Sequence, residues 1–124
     1  MDDASFGNER SPKMNTINAK LPQPIADYFQ AANAHKTDAV IAAFAEDALV
    51  TDENREHRGA EIREWSDEVN EKYKPHAEVT NVAEVGDKTV VTAEVSGSFP
   101  GSPVQLRYNF TLKGDKIAAL LIEG

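Results

Sequence analysis

The chain has 124 residues, 40% of them apolar, and 21 Asp and Glu against 13 Lys and Arg give a net charge of -8. That length and apolar content suit one domain with one core, and the acid excess without any basic block argues against a nucleic-acid backbone or an anionic membrane as partner. The absence of Cys removes disulfides, thiolate metal sites and a Cys nucleophile, and the three His lack HxH or HExxH spacing, so a metal site is not expected.

The opening MDDASFGNERSPKMNT has acids where a signal peptide needs a basic region, and it lacks an apolar stretch, so a cytoplasmic location is expected. No apolar run reaches the roughly 20 residues of a spanning helix. Residues 1–20 are polar with little periodicity and read as a disordered or loosely docked tail, with 21–124 as the folded domain. Pro22 and Pro24 mark a helix start, and Ile25, Tyr28, Phe29 and Ala32 follow at i, i+3, i+4 and i+7, which places Tyr28 on the buried stripe. His35-Lys36 ends this helix. Thr37 or Asp38 is the expected cap of a second one, whose apolar positions are Val40, Ile41 and Phe44 before a turn at Glu46-Asp47.

The following strand, Ala48 to Asp52, is where the sequence speaks most about function. Period-two alternation sets Ala48, Val50 and Asp52 on one face, so a buried face brings a carboxylate inward. Such a group must be hydrogen-bonded, paired or shifted toward its neutral form. A plainer reading is that Asp52 caps the Glu53-Asn54 turn or pairs with Arg55 or Arg58. Arg55 to Arg58 then reads as a short returning strand carrying His57, a polar residue near the acid. Gly59 opens a third helix, with Ile62, Trp65, Val69 and Tyr73 along one face and Pro75 as its stop.

From Ala77 the pattern changes to period two, with turns at Gly86-Asp87, at the Gly97 to Pro103 loop and at Gly114-Asp115, which predicts four consecutive antiparallel strands. In the third of these Val104, Leu106, Tyr108, Phe110 and Leu112 share a face. The last, Ile117 to Ile122, is apolar on both faces, so its outer face is expected to meet another subunit in a homodimer. Helices followed by a meander imply an α+β domain, three helices on one face of a curved antiparallel sheet, with a conical pocket between them.

Three segments carry a family resemblance: YFQAANAHKTDAVIAAFAEDALVTDE, HRGAEIREW and FPGSPVQLRYNFTLKGDKIAALLIE. The pattern over residues 21 to 123 resembles the nuclear transport factor 2-like superfamily, with its cystatin-like cone, and within it the SnoaL-like polyketide cyclase and ketosteroid isomerase group. The resemblance implies a site for a small apolar ligand and acid-base chemistry alpha to a carbonyl, of isomerase, cyclase or lyase type, without a cofactor. It places Asp52 at the position of the proton-shuttling base and Tyr28 at the position of the tyrosine that donates to an oxyanion. Tyr108 falls where the isomerases keep a protonated acid, a departure in which a phenol supplies the donor instead. Base plus oxyanion hole is the logic of ketosteroid isomerase, a standard worked case. Trp65, Phe29, Phe110 and His57 are the expected pocket lining. A non-catalytic module that binds a ligand or dimerises is the alternative, and Tyr28 and Tyr108 are then core aromatics.

Overall fold

The computed structural model describes residues 21–124. The sequence reading of residues 1–20 as a tail lies outside them. The described chain runs α1 (Gln23–Asn33), α2 (Thr37–Ala42), β1 (Phe44–Asp52), β2 (Arg55–Arg58), α3 (Glu61–Tyr73), β3 (His76–Val85), β4 (Lys88–Ser96), β5 (Val104–Lys113) and β6 (Lys116–Glu123). Three helices and a six-stranded sheet of order β2-β1-β6-β5-β4-β3 make an α+β fold.

The helices form where the apolar spacing demands. α1 buries Ile25, Tyr28 and Phe29 and ends with His35 in the left-handed region (φ 57), where the backbone N–H groups of His35 and Lys36 close back on Ala32 and Ala31. The cap expected at Thr37 or Asp38 is not made: Lys36 is the N-cap, without a side-chain cap bond. The Thr37 hydroxyl turns inward instead, donating to Asp67 and meeting Ser66 Oγ at 3.1 Å, because α3 packs directly across it. α3 buries Ile62 and Trp65 and leaves its acids to water.

The turn expected at Glu46-Asp47 is also absent. β1 begins at Phe44 and runs through both acids, with its register to β6 jumping between Phe44 and Leu49, so the polar pair sits in a bulge and no chain reversal occurs. The meander of β3 to β6 is antiparallel as the turn pairs require, whereas β1 lies parallel to β6. That pairing joins strands from opposite ends of the domain, which local patterning does not encode. β6 departs from simple alternation through one extra residue, Ala118, between the Leu112–Ile117 and Thr111–Ala119 pairs. The bulge turns Ile117 to the same inner face as Leu120, both buried, and leaves Leu121 as the large apolar residue facing out, 42% exposed.

Cross-strand partners share a face, so the registers define rows across the inner surface of the sheet. One row runs His57, Val50, Leu120, Phe110 and Thr89; the next runs Arg55, Asp52, Ile122, Tyr108 and Val91. The first is the floor of the core: Val50 and Phe110 are 0% exposed and Leu120 1%. Burying each such side chain contributes roughly 1.5–3 kcal/mol. The second row carries the polar groups, one level up toward the open end.

Candidate active site

A cavity of about 850 Å³ lies between the sheet and the helices, and Tyr28, Asp52 and Tyr108 are all on its wall. Each arrives by a separate element. α1 brings Tyr28 through its buried stripe, the end of β1 brings Asp52, and the middle of β5 brings Tyr108. Asp52 and Tyr108 flank Ile122 in the same row, and the rings of Tyr28 and Tyr108 lie 6.3 Å apart. Phe29 packs edge-on against Tyr108 at 5.0 Å, closing one side.

Asp52 is half-buried, and its Oδ2 accepts a hydrogen bond of 3.0 Å from the Trp65 indole N–H. Among the described residues it forms no ion pair: Arg58 approaches Glu56 at 4.0 Å, and Arg55, though opposite Asp52 in register, makes no bridge to it. The turn after it is built from Glu53 and Asn54, both left-handed at φ 54 and 64. Asp52 therefore faces the cavity, and among the described residues neither turn cap nor arginine partner engages it.

The two phenols are buried, Tyr28 at 5% and Tyr108 at 6% exposure, and among the described residues neither hydroxyl has a hydrogen-bond partner. A buried hydroxyl without a partner is costly, so a ligand acceptor in the cavity would satisfy both. Burial pushes the Tyr28 phenol well above its ordinary value of 10.0, and Tyr108 and the Asp52 charge raise it further. Tyr108 is raised in the same way, by burial first and then by Asp52. Both stay O–H donors at neutral pH. All three groups line the same cavity.

The remaining lining candidates divide. Trp65 and Phe29 are on the cavity wall. Phe110 is not: it lies one row deeper, fully buried against Tyr28 and Phe29 at centroid distances of 5.7 and 5.9 Å. His57 is also off the wall, at the β2 end of that deeper row, with its ring 6.2 Å from that of Trp65. Alternation predicts the face of a strand residue correctly but says nothing of its depth along the cone. The site also gains residues beyond those predicted. Asn33, Asn70, Tyr73 and Phe99 line it, and Asn33 is spent on structure, bonding both backbone groups of Ala77 at 2.9 and 2.8 Å. Phe99 in the β4–β5 loop packs edge-on against Tyr73 at 5.8 Å, while Ser98 N–H donates to Tyr73 O at 2.7 Å, so this loop roofs the cavity from the end of α3.

The family model of the SnoaL-like domain matches residues 25–120. The chain belongs to the SnoaL-like domain family. Its fold is the nuclear transport factor 2-like, cystatin-like cone. A candidate polyketide cyclase from Sinorhizobium meliloti is 41% identical, over 86% of this chain and 98% of that one, with a TM-score of 0.82. A protein of ketosteroid isomerase-like fold from Catenulispora acidiphila, solved with trimethylamine, superposes at TM-score 0.74 with 18% identity, over 85% of this chain and 87% of that one. An epoxide hydrolase/cyclase-like enzyme of pyran ring formation in the polyether salinomycin reaches TM-score 0.65 at 21% identity, over 81% and 86% of the two chains. No curated protein matches this SnoaL-like chain significantly. Among its described residues no helix is long and apolar enough to cross a membrane, and no group of three or more His, Asp or Glu is arranged to hold a metal.

Proposed function

We propose that this SnoaL-like protein is an acid-base enzyme of isomerase, cyclase or lyase type, acting alpha to a carbonyl of an uncharged, hydrophobic small molecule. The observation that carries the reading is the convergence on one cavity of a carboxylate without an ion-pair partner and two protonated phenols without a hydrogen-bond partner among the described residues. Asp52 takes the proton from the carbon beside the carbonyl. Tyr28 and Tyr108 donate to the oxygen as negative charge gathers on it, and Asp52 returns the proton at the new position or to the closing ring. The relationship to a candidate polyketide cyclase supports a substrate with such carbons.

The wall bears on the substrate's charge. It contains Asp52, Glu53 and Glu123 and no Lys, Arg or His among the described residues, so a carboxylate or phosphate on the ligand would meet acids without a counter-charge. At about 850 Å³ the space suits a ligand of two to four rings. The exposed Leu121 on the outer sheet face, with Ala119 and Leu49 in the adjoining row, supports assembly of two copies sheet to sheet. The test is a panel of uncharged ketones, enones and polyketide-like aromatics, compared in the wild type and in Asp52→Asn. The variant folds and binds but loses turnover; equal turnover in both proteins removes Asp52 from the chemistry.

A further inference from the structure

We propose that Trp65 is a positioning residue: its indole N–H holds Oδ2 of Asp52 and thereby assigns proton transfer to Oδ1. The proposal rests on Asp52 acting as the base. The contact is a 3.0 Å hydrogen bond from α3 to the end of β1, between two residues that both line the cavity. At 7% exposure the indole is shielded from water, where a charge-assisted bond is strongest. Among the described residues Oδ1 has no partner. A carboxylate at a strand end has two free torsions, and pinning one oxygen fixes both while leaving the other oxygen for the substrate.

The indole is itself held from two sides. Ser66, next in the chain, meets Thr37 of α2 at 3.1 Å, and Asp67 accepts from the same hydroxyl, so α3 is registered against α2 immediately beside Trp65. On the other side lies the His57 ring of β2. The sheet holds the backbone of Asp52 between Arg55 and Ile122, whereas the hydrogen bond to its carboxylate comes from α3. The direction of the base is thus set by the helical layer.

Trp65→Phe keeps an aromatic ring and removes the N–H. The reaction to follow is deuterium uptake from solvent into the alpha carbon of 2-tetralone, an uncharged bicyclic ketone, with Asp52→Asn alongside. The expected result is an exchange kcat reduced by about ten- to a hundredfold in Trp65→Phe, the scale of a misplaced reacting group, with KM unchanged within about twofold because the N–H removed is bonded to Asp52 and an aromatic ring still lines the cavity. Loss of exchange in Asp52→Asn with full kcat in Trp65→Phe leaves the base in place and overturns the positioning role. Full exchange in Asp52→Asn removes the base and the role of Trp65 together. A second measurement needs no substrate. Trp65 is the one tryptophan, so the protein gives a single indole N–H resonance, and in Asp52→Ala it moves upfield and exchanges faster with solvent. A resonance unmoved by that substitution overturns the contact itself.

Discussion

In the proposed mechanism Tyr28 and Tyr108 share the stabilisation of one oxygen, and each should be separable from Asp52. Tyr28→Phe and Tyr108→Phe are each expected to lower turnover by about a hundredfold to a thousandfold, the usual loss for one oxyanion donor, while ligand affinity measured by calorimetry changes far less. The raised phenols also predict a pH dependence of stability. Above about pH 10 an unfolded tyrosine has ionised while Tyr28 and Tyr108 remain protonated in the folded chain, so unfolding releases protons. Their contribution is therefore intact below about pH 10 and declines as pH rises toward the folded values, at about 1.4 kcal/mol per pH unit for each phenol. Urea unfolding at rising alkaline pH checks this, and Tyr108→Phe should show the shallower decline. The inward faces of Asp52, Tyr28 and Tyr108 were legible from spacing alone, because period and burial are locally linked. The bond from Trp65 to Asp52 was not, since it joins a helix to a strand whose relative placement only the tertiary fold decides. Phe110 failed for a related reason: it has the right face and the wrong depth.

At the level of elements, the β4–β5 connection illustrates how a loop becomes a wall. Gly97 has no room for a side chain, since a Cβ there would come within 2.6 Å of Tyr73 O and 2.9 Å of the Phe99 ring. Gly97→Ala must push the loop off the end of α3, breaking the Ser98 to Tyr73 bond and the Phe99 contact. A loss of about 1–3 kcal/mol in stability is expected for such overpacking, together with weaker ligand binding, because Phe99 lines the cavity. Chemical denaturation and calorimetry read the two effects; unchanged affinity would show that the loop is only a connection. The helices and the four-strand meander were legible because amphipathic spacing and turn pairs are local signals. The Thr37 cap and the Glu46-Asp47 turn were misread because tertiary partners outcompeted local preference: Asp67 and Ser66 take the Thr37 hydroxyl, and β6 draws the acidic pair into a bulged strand.

For the molecule as a whole, the parallel pairing of β1 with β6 is what brings Asp52 within reach of the phenols. It closes the sheet around the cone and sets Asp52 two strands from Tyr108 in one row. Nothing in a single strand announces that pairing. The outer face of the same sheet, with Leu121 of β6 exposed on it, is the proposed dimer surface. Leu121→Asp should shift the protein to a monomer in sedimentation velocity with its fold intact, as exposed positions tolerate charge; an unaltered dimer would place the interface elsewhere. The most direct test of the account follows deuterium entering the carbon alpha to the carbonyl of a bound uncharged ketone, by proton NMR. Catalysed exchange in the wild type that falls by about a hundredfold to ten-thousandfold in Asp52→Asn is the predicted result, and exchange at equal rates in the two proteins would contradict it.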